Sequence, residues 1–290
     1  MKYLRLASAL LFTAIFAQSV LAQAAPASGY QEINGVKYYY EIIGKGEPLL
    51  LLHGGLGCID MVSPPRSKFE KNHEVIAVDL HGHGRTALGS REISLVDQGA
   101  DMAVLVKKLG FKQVDVLGYS MGGGIAFQFA VQHPEMVRRL VLVSTPIAQD
   151  DNYPEDLQIH LGAAMAPMFK DAPEYKRYVK IAPHPEEFPK LLDQLGALMS
   201  EPYDWYSDVP KLTMPVMLVY GDGDMIRPER IVKFYQLLGG GLKDAGFQRE
   251  NMPKNRLAIL PDVTHYEIAD CPQLLPTVLP FLEAKEPVKN

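Results

Sequence analysis

The chain has 290 residues, of which 47% are hydrophobic and 22% charged, and its formal net charge is −5 at pH 7. These values are typical of a globular protein and exclude a fibrous or disordered one. A mildly acidic chain without a basic stripe also argues against nucleic acids and anionic membrane surfaces as partners.

The first residues differ in composition from the rest. Lys2 and Arg5 give a short basic start, residues 6–16 are almost wholly apolar, and Val20-Leu21-Ala22 ends in small residues. This pattern predicts a secretory signal peptide over residues 1–22, which is short for a membrane span, and an uncleaved anchor helix is the alternative. We therefore expect the protein in the periplasm or outside the cell, without stable membrane association after cleavage.

The cysteine content leaves two states open. The chain contains Cys58 and Cys271 and no other cysteine. An export route permits a disulfide between them. Two cysteines in a chain of this size are not a disulfide framework, and two buried thiols are the alternative.

The predicted elements begin with a hairpin. Tyr30 to Ile33 and Val36 to Ile43 are apolar and aromatic stretches joined at Asn34-Gly35, a dipeptide suited to a tight turn. Leu49 to Leu52 and Val75 to Val78 are apolar runs without polar alternation. Such runs are typical of parallel strands that helices cover on both faces.

Helices and strands alternate along the next part of the chain. Apolar residues recur at helical spacing from Ser94 to Leu109. A β-branched run from Val114, a helix-compatible run from Ile125 to Val131 and a buried strand from Val137 to Ser144 follow. This alternation predicts right-handed βαβ units and a doubly wound sheet.

Prolines interrupt the alternation between Pro146 and Lys211 and divide that stretch into short helical patches. The stretch predicts an inserted helical cap. Most of its large side chains are expected to form a small core of the cap itself and some to line a pocket roof, with Trp205 and Tyr206 expected to shape the pocket. The sheet is expected to resume with Val216 to Tyr220. The predicted organisation is a signal peptide at 1–22, a first core part at 23–145, a cap at 146–212 and a second core part at 213–290.

A serine stands between glycines in Gly118-Tyr119-Ser120-Met121-Gly122, with a strand before it and a helix after it. In that context the G-x-S-x-G pattern indicates a nucleophile elbow. A hydroxyl can attack a carbonyl only if it stands clear of its own backbone, and the strained turn provides that clearance. Ser120 is therefore the candidate nucleophile.

A serine hydroxyl needs a general base, and histidine has a suitable pKa. His265 is favoured because it follows the last predicted strand, Leu257 to Leu260, at the same edge of the sheet as the elbow. The histidine needs an acid that fixes its tautomer. Asp222 and Asp224 both follow the preceding predicted strand, and Asp262 is a third candidate, so the residues alone leave the choice open.

The intermediate formed by serine attack carries an oxyanion, which must meet backbone N–H groups. Met121, the residue after the nucleophile, is one candidate donor. Gly55, or alternatively Leu56, is the other, because the glycines of residues 53–57 let the backbone approach a ligand closely.

Two other interpretations of the glycine- and histidine-rich segments fail. The segment HGGLG lacks the Gly-Lys-Ser/Thr that a phosphate loop requires. His53 with His81 and His83 could suggest a metal site, but no carboxylate or thiolate completes a ligand set. No metal is therefore expected.

In these motifs the chain resembles the α/β-hydrolase superfamily. The segments HGGLG, DLHGHGRT, GYSMGGG, YGDGDMIRP and the VTH turn occur in the order expected of that family, over essentially all of residues 30–282. The resemblance implies a mostly parallel sheet with a helical cap and no metal or organic cofactor. It implies Ser120 as nucleophile, His265 as base and Asp224 as acid, since the family's acid stands three residues after a strand-end glycine and before a proline.

The resemblance further implies a serine esterase that acts through an acyl-enzyme, and the large side chains of the predicted cap indicate a small, apolar, ester-like substrate. A lactonase, a carbon–carbon bond hydrolase, a proline-releasing aminopeptidase and a cofactor-free perhydrolase stay open on the same fold. A non-catalytic binding protein is disfavoured because the reactive residues are intact, and a serine at position 120 argues against dehalogenases and epoxide hydrolases. The stretch from Gly239 to Asn255 is longer than usual for the family and is expected near the active-site rim.

The signal-peptide prediction can be tested on exported protein. Cleavage after Ala22 or Ala24 should yield a mature chain that begins at Gln23 or Ala25. Intact-mass measurement of the secreted or periplasmic fraction reads this directly. Retention of Met1 in the exported protein would contradict the prediction.

Overall fold

The computed structural model describes residues 27–61, 66–158 and 160–284. The predicted signal peptide lies outside these residues. Within them the chain forms one sheet, whose strands are β1 (Ala27–Ile33), β2 (Val36–Gly44), β3 (Glu47–Leu52), β4 (His73–Asp79), β5 (Val114–Tyr119), β6 (Val137–Val143), β7 (Val216–Gly223) and β8 (Arg256–Thr264).

The strand order is β1-β2-β4-β3-β5-β6-β7-β8. Pairing is antiparallel from β1 to β2 and from β2 to β4, and parallel across the remaining strands. The opening hairpin turns where predicted, with φ of 48° at Asn34 and 81° at Gly35, as a tight hairpin turn requires. The predicted α/β class with a mostly parallel sheet is therefore confirmed.

The continuous apolar runs of the sequence are strands covered on both faces. In β3, Leu50 and Leu52 belong to one core cluster, whereas Leu49 and Leu51 belong to the other. Successive side chains of a strand point to opposite faces of a sheet. Because both faces are buried, neither set of positions needs polar residues.

Helices supply both covering layers. Met102, Phe127 and Phe234 pack in the cluster on one face, and Phe69 and Val278 pack in the cluster on the other. No helix in the described part of the chain is long and apolar enough to cross a membrane. The helices are α1 (Arg66–Phe69), α2 (Leu95–Lys108), α3 (Met121–Gln132), α4 (Pro173–Ile181), α5 (Phe188–Ser200), α6 (Pro228–Leu237) and α7 (Leu274–Leu282).

Between β6 and β7 the chain leaves the sheet and forms α4, α5 and several short 3-10 turns. This stretch coincides with the segment that the sequence predicts as a cap. Phe188 and Leu191 of α5 form an apolar cluster with Leu88 and Ile93, which precede α2. The inserted helices therefore have a small core of their own, which rests on the loop between β4 and α2.

Trp205 and Tyr206 pack where the inserted stretch returns to the sheet. Tyr206 is buried and its hydroxyl donates to Asp151 Oδ1 at 2.7 Å. Trp205 stacks on Phe127 of α3, with ring centroids 5.7 Å apart. These packing contacts are established, whereas a contribution of either side chain to a pocket roof stays a prediction.

The stretch from Gly239 to Asn255 is anchored at the edge of the sheet opposite Ser120, so the expectation that it lies near the active-site rim is wrong. Asn255 Oδ1 accepts a hydrogen bond of 2.7 Å from the backbone N–H of Val216, the first residue of β7. The physical reason is chain direction. Helix α6 follows β7 and returns the chain to the amino ends of the strands, where the parallel strand β8 must begin.

Cys58 and Cys271 are free thiols in the structure. Burial, with a contribution from the nearby carboxylate of Asp79, raises the pKa of the Cys58 thiol to about 11. The thiolate is the reactive form of cysteine. Cys58 is therefore a packing residue near neutral pH.

Candidate functional site

Ser120 occupies a strained turn between β5 and α3. Its φ is 51°, in the left-handed region that non-glycine residues rarely adopt. A Cβ on Gly118 would lie 2.3 Å from the Gly122 carbonyl oxygen, and a Cβ on Gly122 would lie 2.3 Å from the His53 carbonyl oxygen. Only glycine fits at both positions, which explains the spacing of the motif.

His265 follows β8 and reaches back to the elbow. Its Nε2 lies 3.1 Å from Ser120 Oγ, within the range expected for a nucleophile and its base. The histidine side chain is buried, whereas Ser120 is partly exposed. The hydroxyl is thus accessible while the imidazole is held in place.

Asp224 completes a chain of contacts that begins at Ser120. Its Oδ1 lies 3.1 Å from His265 Nδ1. With Nδ1 bonded to a carboxylate, the proton resides on Nδ1, and Nε2 is free to accept from the Ser120 hydroxyl. The backbone N–H of Gly221 also donates to Asp224 at 3.3 Å.

The structure distinguishes the three candidate acids. Asp224 is buried beside His265, whereas Asp222 is exposed and accepts a hydrogen bond of 3.3 Å from the Val263 backbone N–H. Asp262 is also exposed, with a φ of 58° that places it in a turn conformation. The structure therefore brings together Ser120, His265 and Asp224.

Ser144 is a contact of this site that the sequence analysis missed. It directly follows β6, is fully buried and has a φ of 45°. Its hydroxyl donates to Asp224 Oδ2, the carboxylate oxygen that does not face His265. A usable signal was its position, because the residue after β6 lies at the same edge of the sheet as those after β5 and β7.

The glycine loop after β3 lies alongside the elbow. A Cβ on Gly54 would lie 2.7 Å from the Tyr119 ring and 3.5 Å from Ser120 Cβ, whereas a Cβ on Gly55 would have nothing within 4 Å. Leu56 has a φ of 57°. Gly54 thus lies beside Ser120, one residue before the predicted donor Gly55, and Met121 opens α3, where helical N–H groups lack intrahelical partners.

His53 holds this loop through both ring nitrogens. Its Nε2 accepts a hydrogen bond of 3.1 Å from the Leu80 backbone N–H, so its Nδ1 carries the proton and donates to the Gly54 carbonyl oxygen at 2.7 Å. Burial lowers the pKa of His53 to about 4. The ring is therefore neutral near neutral pH.

The HGHGR segment is a structural turn. The carboxylate of Asp79 accepts hydrogen bonds of 2.7 Å from the Ile59 backbone N–H and 2.8 Å from the Arg85 backbone N–H. Burial lowers the pKa of His83 to about 3. Among residues 27–61, 66–158 and 160–284, no group of three or more potential ligands is arranged to hold a metal ion.

Two open hollows of about 540 and 360 Å³ lie at the opposite edge of the sheet. Glu47, His73 and Arg138 line the larger one, and all three lie at the starts of strands. Both hollows lie away from the aligned Ser120, His265 and Asp224. Proton transfer depends first on geometry, so we assign the candidate site to the Ser120 edge.

The low pKa of His53 predicts a pH-dependent stability. An unfolded chain protonates this histidine near its ordinary pKa of 6.5, whereas the folded chain does so only at about 4. His53 therefore stabilises the fold above pH 6.5 and loses that contribution as the pH falls toward 4. His53→Gln should show a shallower decline in the free energy of unfolding across this range. Urea titrations at several pH values measure the slope, and equal slopes in both proteins would contradict the prediction.

Comparison with known proteins finds a matching family model and relatives that align with most of the chain. Residues 47–164 match a family model described as the alpha/beta hydrolase fold. An uncharacterized protein of Mycobacterium tuberculosis is 24% identical to this chain, over 92% of this chain and 84% of that protein. The serine hydrolase BPHL of Mus musculus is 25% identical, over 80% of this chain and 78% of that protein.

Solved structures show the same architecture. The carboxylesterase CesB of Bacillus subtilis superposes with a TM-score of 0.66 at 19% identity, covering 90% of this chain and 93% of that one. At this identity the likeness concerns the fold. The family match covers residues 47–164, and the fold shared along nearly the whole chain is the α/β-hydrolase fold.

Proposed function

We propose that the protein is a serine hydrolase that cleaves carboxylic esters through an acyl-enzyme on Ser120. The observation that carries the proposal is the continuous contact from Ser120 Oγ through the His265 imidazole to the Asp224 carboxylate, with 3.1 Å at each step. This is the arrangement by which a weakly nucleophilic hydroxyl is activated.

In the proposed reaction, His265 Nε2 takes the Ser120 proton as Oγ forms a bond to the carbonyl carbon. Asp224 stabilises the imidazolium that results. The imidazolium then gives its proton to the leaving alcohol, the carbon–oxygen ester bond breaks, and the acyl group stays on Ser120. Water attacks the acyl-enzyme by the same route and releases the acid.

In this reaction, backbone N–H groups stabilise the negative charge of the oxyanion. We assign one donor to Met121 and the other to Gly55, with Leu56 as the alternative. The position of the glycine loop beside Ser120 supports this assignment. Donors fixed before the reaction lower its barrier because they do not reorganise as the oxyanion forms.

An apolar, small-molecule ester fits the surroundings of Ser120 best. Leu56 and Met121 are partly buried and pack against the apolar cluster of the inserted helices. The proposed chemistry uses this chain's own side chains and backbone, without a metal or organic cofactor. We place it in the periplasm or outside the cell, on the strength of the N-terminal sequence pattern.

Replacement of the nucleophile tests the proposal. Ser120→Ala should lower kcat for p-nitrophenyl esters by orders of magnitude, about 10⁶-fold in a serine protease, and abolish labelling by a fluorophosphonate. Ser200→Ala on α5 is the matched control and should leave both unchanged. Lactones and prolyl amides in the same panel test the alternative substrates. Wild-type turnover in a folded, uncontaminated Ser120→Ala preparation would refute the assignment.

The two neighbouring aspartates give a second test. Asp224→Asn should lower kcat by about 10⁴-fold, because an amide tends to hold the imidazole in the wrong tautomer. Asp222→Asn should change stability by about 1 kcal/mol or less, since Asp222 is exposed and only accepts a bond from a turn. Measuring kcat and Tm for both decides between them. A large kcat loss confined to Asp222→Asn would reverse the assignment.

A further inference from the structure

Tyr119, the residue before Ser120, is in contact with the loop that carries His265. Its hydroxyl donates to the His265 backbone carbonyl oxygen at 2.8 Å. Its ring lies against the His265 imidazole, with centroids 5.6 Å apart and planes inclined by 38°. The side chain therefore contacts both the backbone and the ring of the proposed base.

The sheet order makes this contact important. Strands β6 and β7 separate β5, which leads to Ser120, from β8, which leads to His265. The ladder that aligns neighbouring strands therefore does not directly join these two. The Ser120–His265 hydrogen bond must change as the proton moves, whereas the bond from Tyr119 to the His265 carbonyl takes no part in the transfer.

The same ring also supports the glycine loop. A Cβ on Gly54 would lie 2.7 and 2.9 Å from two carbons of the Tyr119 ring. The Gly54 backbone thus packs closely on the ring, one residue before the proposed donor Gly55. One side chain contacts the segments that follow β3 and β8, and it directly precedes Ser120.

The Tyr119 hydroxyl stays a donor at any working pH. Burial raises the pKa of the phenol well above its ordinary value, and the nearby carboxylate of Asp224 adds to the shift. A neutral phenol donates a hydrogen bond, and the carbonyl of His265 can only accept one. The contact is therefore insensitive to the pH changes that titrate a histidine.

We propose that Tyr119 is a positioning residue, which holds the His265 imidazole in line with Ser120 Oγ and supports the glycine loop beneath the developing oxyanion. The inference rests on the proposed function of Ser120 and His265. Tyr119 acts through its neighbours and exchanges no proton with the substrate. Losing its hydroxyl should therefore slow the chemical step and leave substrate binding largely intact.

The test is Tyr119→Phe, which keeps the ring and removes the hydroxyl. We expect kcat for p-nitrophenyl acetate to fall about tenfold, the effect of one lost hydrogen bond on the barrier, with KM nearly unchanged. Proton NMR provides a second readout. The downfield resonance of the hydrogen bond between His265 Nδ1–H and Asp224 should broaden in the variant, because the loop after β8 becomes more mobile.

Tyr38→Phe is the matched control. Tyr38 is buried on β2, and its hydroxyl donates to Asp101 at 2.7 Å, away from Ser120. This variant should lose at least as much thermal stability as Tyr119→Phe while keeping kcat and the downfield resonance. Equal kcat losses in the two variants would overturn the inference in favour of a general stability effect.

The outcomes separate this inference from the proposed function. If the unchanged protein is labelled at Ser120 and hydrolyses esters, unaltered kcat and resonance in Tyr119→Phe overturn the role of Tyr119 alone. If the unchanged protein neither reacts nor is labelled, the proposed function fails, and the resonance still decides whether Tyr119 orders His265. A broadened resonance then supports the positioning role, and an unchanged one refutes it.

Discussion

The close approach of α3 to the carboxyl ends of the central strands is the constraint on which the site depends. Gly122 lies so near the end of β3 that any side chain there would collide with the His53 carbonyl oxygen. This proximity fixes the start of α3 beside the glycine loop and leaves Ser120 in a strained turn. Such strain persists only where the surrounding structure over-determines it. Here two core clusters, one on each face of the sheet, supply that rigidity.

Around Ser120 the supporting groups are mostly neutral and buried. The His53 ring forms hydrogen bonds with both Gly54 of the glycine loop and Leu80. The Ser144 hydroxyl donates to Asp224 Oδ2, the oxygen that does not face His265. Neutral hydrogen bonds suit this purpose because they order a loop without burying an unpaired charge. Asp224 is itself buried. Its carboxylate accepts hydrogen bonds from the Ser144 hydroxyl and from the Gly221 backbone N–H, and it also contacts His265 Nδ1. The site is thus assembled from loops that follow different strands of the sheet.

The sequence was sufficient to predict the structural features that depend on local residue patterns. Continuous apolar runs predicted the two-sided sheet, and the glycines around Ser120 predicted the elbow because sterics there allow no other residue. The choice of Asp224 needed the family pattern, since Asp222 has the same chemistry and a similar position. Ser144 and Tyr119 were missed because their contacts join strands distant along the chain. The Gly239–Asn255 stretch was misplaced because its length was considered without the direction of α6.

The position of β8 has a consequence for how the protein responds to heat. This strand is one of the two edge strands of the sheet and pairs with β7 on one side, whereas β5 lies in the middle. Edge elements open locally at a lower free-energy cost than central ones. Fraying of β8 would draw His265 away from Ser120 while the remaining strands keep their amide protection. Under the proposed function, heat would therefore remove activity by freeing the loop that carries His265, at a lower temperature than the one at which the rest of the sheet unfolds.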